Sequence, residues 1–445
     1  MNAFYPIYRI FRSYLRFFYN HIQYRKVYRI GLENIPSSNT PLLIACNHQN
    51  CMNDPLGLVL TFRDRKPSIL ARADIFEKST LANNFLRSIG LLPAFRMMVD
   101  GEEAMKKNEQ SFKITESQLA NGNTIIIFPE GMHQNRHWLG AFSSGYTKMA
   151  FEAAKMNNFE KDLIVLPVCN HYSNYFGIQN QLVLKFGKPI SVQQFFELYK
   201  TKPRTAQRQL DALVREQIEN RMLNITDDIN YNAIDFLRNS YGNLFAKANN
   251  LNPNKLPQKL EADKLLFAKL EEAKNNNPAL VEKLYKLTNN YIENLKQLNI
   301  CDAEVESNSG LLNAATQLIA SFFVTIITFA IALPNILLYI APTPLINRLK
   351  DKMFESSIRY GLSVLLTIPL IYGGTFLAIG LAINFYIASI CMALLPAMGV
   401  LQWSCYQFLL KSVRKVRFAK LSHAAKQNLI ATRNGLFMLC NKVVE

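Results

Sequence analysis

Acidic residues are missing from the first 32 positions. Charge of either sign is missing from Ser307 to Asn347 and again from Gly361 to Leu410. Each uncharged run far exceeds the roughly 20 apolar residues that a membrane-spanning helix needs, so an ordinary soluble protein is not expected. Cysteine is sparse: seven residues (46, 51, 169, 301, 391, 405 and 440) in 445, an odd number without metal-ligand spacing. That excludes a disulfide framework and predicts a reducing compartment. No apolar segment of roughly 7–15 residues with a small-residue cleavage site opens the chain, so no secretory signal is expected.

What is present is basic. Lysine and arginine number 50 against 33 acids, a formal net charge of +17. The partner implied is anionic: nucleic acid, a phosphate-bearing substrate, or the negative face of a bilayer. Residues 1–34 concentrate that charge among aromatics. At about 100° per residue, Arg9, Arg12 and Arg16 fall on one helical face, with Ile7, Phe11, Tyr14, Leu15 and Phe18 on the other. A basic, aromatic, amphipathic helix suits the interfacial plane of an anionic membrane. The plainer alternative is a helix packed on the protein's own core.

Residues 35–195 read as an α/β domain with a mostly parallel sheet. The runs "PLLIAC" (41–46), "PSILAR" (67–72), "TIIIFP" (124–129), "LIVLPV" (163–168) and "LVLKF" (182–186) are short and rich in Ile, Leu and Val. Strands buried on both faces have this composition, and helical patterns over 78–90, 101–120 and 143–156 separate them. Residues 196–306 mix Lys, Glu, Asn and Leu at helical spacing and predict a soluble helical region. Their acids and bases are interleaved and form no basic stripe, which argues against nucleic acid.

Residues 307–410 are expected to be membrane segments: 311–341, with Pro334 as the break of a re-entrant hairpin, and spans over 361–381 and 385–410 with a turn near Ala382–Asn384. The loop between the uncharged runs carries Arg348, Lys350, Lys352 and Arg359, and the tail 411–445 opens on "KSVRKVRFAK". Both flanks should be cytoplasmic by the positive-inside rule.

Chemistry is sought at strand ends. "PLLIAC" delivers the chain to Asn47 and His48, at the C-terminal edge where open α/β sheets bind ligands. Asp54 precedes Pro55 and reads as a helix N-cap. As a reactive pair, His48 would take a proton while Asp54 holds its tautomer and steadies the imidazolium. The stretch Phe128, Pro129, Glu130, Gly131 follows a second buried strand. There a carboxylate would face a polar ligand and backbone N–H groups would be open to an anion. Arg96, in "GLLPAFR", offers a planar fork for phosphate.

The ordered blocks N-H-x5-D, G-x-x-P-x-x-R, F-P-E-G and an apolar strand ending "VLPV" resemble the glycerolipid acyltransferases. That family comprises the glycerol-3-phosphate and 1-acylglycerol-3-phosphate acyltransferases and tafazzin. The likeness covers about residues 35–190, and F-P-E-G is its most distinctive block. It implies a membrane-bound O-acyltransferase of phospholipid biosynthesis. A fatty acyl group would pass from acyl-CoA or acyl carrier protein to a glycerol hydroxyl, without metal or organic cofactor. His48 is then the base, Asp54 its partner, and Arg96 with Glu130–Gly131 the holder of the acceptor's glycerol phosphate.

Two departures stand out. The commoner spacing, H-x4-D, lands here on Asn53, which cannot balance an imidazolium; the longer spacing to Asp54 resembles fungal-type members with C-terminal membrane segments. In "FSSG" (142–145), Ser143 and Ser144 stand where many members carry a lysine, so Arg72, Arg136 or Lys148 would have to compensate. Cys51 as a nucleophile and His133 with His137 as zinc ligands are weaker readings. A tafazzin-like transacylase and a non-catalytic lipid-binding scaffold are the rival functions.

Overall fold

The computed structural model of the chain describes residues 5–72, 76, 80–94, 111–331, 333–340, 344 and 368–445. They form two compact units, one reaching to Asn224 and the other beginning at Ile225.

The first unit is built on an eight-stranded sheet: β1 (Tyr24–Ile30), β2 (Leu42–Cys46), β3 (Ser68–Arg72), β4 (Leu91–Ala94), β5 (Thr124–Ile127), β6 (Ile164–Tyr172), β7 (Asn180–Phe186) and β8 (Ile190–Ser191). The strand order is β1-β7-β6-β2-β5-β3-β4, with β8 also on β6. Pairing is parallel except where β6 meets β7 and β8. The five apolar runs of the sequence thus correspond to β2, β3, β5, β6 and β7.

β2 shows why these runs lack alternation. It lies between β5 and β6, with Leu43 in register with Ile125 on one side and Val165 on the other. All five of its residues are fully buried, each Leu or Ile contributing about 1.5–3 kcal/mol. Because β2, β3, β4, β5 and β6 run the same way, their C-terminal ends share one rim.

Three strands escaped the sequence reading. The N-terminal helix α1 (Tyr5–Phe18) ends well short of residue 34, and a π-helical turn (Tyr19–Gln23) leads into β1. The exposed Arg25 and Lys26 on β1 guard the open edge of the sheet, as charged side chains do on edge strands, while Arg29 donates to Thr61 and Asn20. β4 holds Pro93 at the other edge, where a missing N–H costs no ladder bond. β8 is two residues long. α1 itself is tied down by Arg12, which donates to the carbonyl oxygens of Phe62 and Arg63. Phe18 is buried, while Ile10 and Phe17 stay exposed.

The helices α2 (Asn53–Val59), α3 (Thr80–Ser88), α4 (111–120) and α5 (Gly145–Met156) follow the expected stretches; residues 101–110 lie outside the described residues. The unit also runs past residue 195. After α6 (Phe196–Thr201), α7 (Pro203–Glu219) buries Ala206, Leu210, Val214 and Ile218 at four-residue spacing in the core of the sheet domain. The Tyr146 hydroxyl on α5 donates to Asp211 on α7 at 2.8 Å.

The second unit is helical: α8 (Tyr231–Ser240), α9 (Gly242–Ala248), α10 (Leu256–Asn276), α11 (Pro278–Gln297), α12 (Asp302–Ser307), α13 (Leu311–Ile331), α14 (Leu333–Ile340), α15 (Ile368–Ala382), α16 (Phe385–Ala419) and α17 (His423–Val444). Two of these helices, α13 up to Phe329 and α16, are long and apolar enough to cross a membrane. Just 11% of each apolar window is buried, unlike the core helix of a soluble protein. The turn expected near Ala382–Asn384 is present: α15 ends at Ala382 and the Asn384 side chain accepts the Ile387 N–H at 2.8 Å.

The hairpin expected at Pro334 is not. Lys415 donates to Gln317, Thr325 to the Cys405 carbonyl, and Asn335 to the Leu395 carbonyl at 2.8 Å. Partners on α16 therefore recede steadily as the chain advances from Gln317 through Asn335. A reversal at Pro334 would return Asn335 toward the partners of α13. Instead 311–340 continues antiparallel to α16, and at about 1.5 Å per residue that is long enough to span a bilayer.

Candidate active site

The site begins where β2 ends. Asn47 clamps that end to β6: its side-chain amide donates to the Asn170 carbonyl at 3.0 Å and its oxygen accepts the Asn170 N–H at 2.7 Å. This aims the next residue, His48, over the rim. Its Nδ1 lies 2.7 Å from Asp54 Oδ2. With the carboxylate on Nδ1, Nε2 is the nitrogen presented to a ligand. The His48 side chain is 17% exposed and that of Asp54 wholly buried, so the pair is sheltered with one open corner.

Asp54 is not an N-cap. It lies inside the first turn of α2, and its carboxylate reaches back to the N–H groups of Gln49 and Asn50, each 2.8 Å from Oδ2. Its other oxygen, Oδ1, accepts the Tyr172 hydroxyl at 2.5 Å. An ionised carboxylate is acceptor-only, and four donors match that form. The side chain of the neighbouring Asn53 points elsewhere: its amide donates to Asn50 Oδ1, while its backbone carbonyl accepts the Tyr19 hydroxyl. Geometry thus pairs His48 with Asp54 and not with Asn53.

Phe128 and Glu130 hold the other side of the imidazole. Phe128, just past β5, stacks on the His48 ring with centroids 4.2 Å apart and planes 22° apart. Both oxygens of the Glu130 carboxylate meet backbone. Oε1 accepts the His48 N–H and Oε2 the Gly140 N–H, both at 2.7 Å. Burial raises its carboxyl above the usual range, opposed by these two amide bonds. A Cβ at Gly140 would stand 2.9 Å from Oε2, so glycine is what lets the backbone approach.

Gly131 sits at φ +68°, and its N–H closes a turn onto the Phe128 carbonyl. That N–H is therefore not open to an anion, contrary to expectation. Pro129 is buried, and its carbonyl accepts the Ser143 N–H.

The loop from Gly131 to Ser144 is bound to this centre again where the Gln134 N–H meets the His48 carbonyl at 3.2 Å. It carries one arginine, Arg136. His133 and His137 part company: the first lies 5.3 Å from the His48 ring, centroid to centroid, while the second meets His171 and the Tyr175 hydroxyl. Arg96 lies outside the described residues.

Sequence reasoning missed Tyr172 and Gly140, and it named Asn47 without seeing its clamp on β6. "HYSNYF" marked the end of a strand, but nothing local shows that Tyr172 reaches a carboxylate 118 positions earlier.

Comparison with known proteins adds three findings. No curated protein matches the chain. Among solved structures it is similar to the 1-acyl-sn-glycerophosphate (LPA) acyltransferase PlsC from Thermotoga maritima. The identity is 18%, over 47% of this chain and 78% of that one, with a TM-score of 0.31, too low to carry an argument. The acyltransferase family's own model matches residues 26–171, the stretch that holds β1 to β6, His48, Asp54 and Glu130. The sheet unit of this chain therefore contains a domain of the acyltransferase family.

Proposed function

We propose that the protein is a membrane-bound O-acyltransferase that moves a fatty acyl group from a thioester, acyl-CoA or acyl carrier protein, to a hydroxyl of glycerol 3-phosphate or 1-acylglycerol 3-phosphate. The observation that carries the reading is the 2.7 Å contact between His48 Nδ1 and Asp54 Oδ2 at the rim of an acyltransferase-family domain. With Nδ1 held by the carboxylate, Nε2 accepts the acceptor's hydroxyl proton as the oxygen attacks the thioester carbonyl. Asp54 steadies the imidazolium that forms. Collapse of the tetrahedral intermediate breaks the carbon–sulfur bond, and the proton on Nε2 passes to the departing thiolate.

The remaining residues divide by task. Phe128 keeps the imidazole plane, and Glu130 fixes the His48 backbone against Gly140; Pro129 and Gly131 shape the turn between them. Arg96, with Arg136 from the loop bound to His48, grips the acceptor phosphate, because a guanidinium fork suits that geometry. The apolar helices α13 and α16 hold the enzyme in the bilayer, and the exposed Ile10 and Phe17 of α1 lie in its surface. The basic segment 411–420 favours the cytoplasmic side for the parts of the chain that adjoin it.

Purified protein given labelled acyl-CoA or acyl carrier protein tests this against glycerol 3-phosphate, its monoacyl form and other lysophospholipids. Incorporation into either of the first two supports the proposal. Exchange between phospholipids without a thioester indicates a tafazzin-like transacylase. No incorporation with any donor and acceptor leaves the scaffold.

A further inference from the structure

The helical unit gathers cationic side chains around a cavity. A cavity of about 500 Å³ lies where α16 leaves its uncharged run, bounded by the last turn of α11 and the segment leading into α12. Leu410, the last residue of that run, and Val413 line it beside Ile300, with Lys296, Arg414 and Arg417 around them. Apolar walls on the bilayer side and cations one turn further along are what a phospholipid headgroup and its glycerol end require.

The charges are unequally occupied. Arg414 lies 3.4 Å from Glu304, whose side chain is fully buried, so its charge is largely internal to the fold. Arg417 donates to the Asn299 carbonyl and has no carboxylate partner among the described residues. Lys296 pairs with Glu293 at 2.8 Å, but both side chains are more than 60% exposed, and such surface pairs hold their partners weakly. Arg417 and Lys296 are therefore available to an anion.

We infer that Lys296 and Arg417 bind the phosphate of an anionic phospholipid at the membrane surface, beside an Arg414 held by Glu304, a lipid site separate from the acyl-transfer centre. It rests on the membrane reading of α13 and α16 but not on acyl transfer. Cationic side chains near a bilayer surface strengthen anionic-lipid binding about five-fold each.

The test uses the full chain in nanodiscs of phosphatidylcholine with a minor fraction of phosphatidylglycerol, and native mass spectrometry of the lipids retained. Lys296→Gln with Arg417→Gln, both exposed and spared the buried Glu304 partner, should lower phosphatidylglycerol retention on the order of twenty-fold. Lys283→Gln with Lys286→Gln, an equal loss of charge elsewhere on α11, should leave it unchanged. Inorganic phosphate at millimolar concentration should not displace the lipid, because it lacks the apolar half of the contact. Equal retention in both double variants, or displacement by phosphate alone, overturns the site. Release of the chain from membranes by alkaline carbonate would instead contradict the membrane reading, and the site with it.

Discussion

Four donors converge on the Asp54 carboxylate, and that arrangement ranks the substitutions around it. Asp54→Ala removes the partner of His48 Nδ1 and should cost on the order of 10⁴ in kcat. Asn53→Ala loses one amide contact and should stay within about ten-fold. Steady-state kinetics on matched preparations distinguishes the two, and the reverse ranking would overturn the pairing. Tyr172→Phe leaves Oδ1 one donor short in a buried place, a defect worth about 1–3 kcal/mol. Its expected signature is a fall in kcat with KM for the acceptor unchanged and an altered pH dependence of kcat.

Glu130 divides the brace from the ligand contact. Glu130→Gln can offer just one oxygen to two N–H donors, so thermal stability and kcat should fall together. A rise in acceptor KM alone, with the melting temperature unchanged, would restore Glu130 to the substrate. The motif located Glu130 and His48 without telling which way the carboxylate turns, because Gly140 belongs to another segment. Asp54 was legible for the opposite reason: carboxylate and imidazole sit six positions apart, in the one segment that joins β2 to α2.

At the scale of elements, strands buried on both faces were readable because apolar composition alone specifies them. β1 was not, since "YRKVYRI" is an edge strand whose basic residues read equally well as one side of an amphipathic helix. α7 fell outside the expected domain because its apolar stripe does not name the sheet it packs against.

The helical region carried no motif, yet it holds a buried ionic network. Asp263 contacts Arg238 and Lys259, and its side chain is fully buried. Burial pushes the Asp263 carboxyl up and the Lys259 ammonium down. Asp263→Asn should cost about 3–5 kcal/mol, as removing one member of a buried ion pair does. Amide hydrogen exchange along α10 measures it, and protection unchanged from the wild type would show that the network is not stabilising.

For the whole molecule, composition foretold an α/β part together with helices long and apolar enough to cross a membrane. Direction was beyond it. Pro334 suggested a reversal, but it stands in the first turn of α14, where a missing N–H breaks no helical bond, and Asn335 beside it donates to Leu395 on α16. If α13 and α16 cross a bilayer, their antiparallel course brings Ile340, the last residue of α14, to the same face as Ile383. Cysteines at those two positions should then react with an impermeant thiol reagent from one side, and a cysteine at Lys420 from the other. Labelling of Ile340→Cys from the side of Lys420 would revive the hairpin.

The proposed reaction rests on one imidazole. Reconstituted full-length protein, given labelled acyl thioester and the acceptor it prefers, should form an ester that disappears in His48→Ala while that variant keeps the wild-type melting temperature. Equal product from His48→Ala would contradict the assignment of His48 as the base.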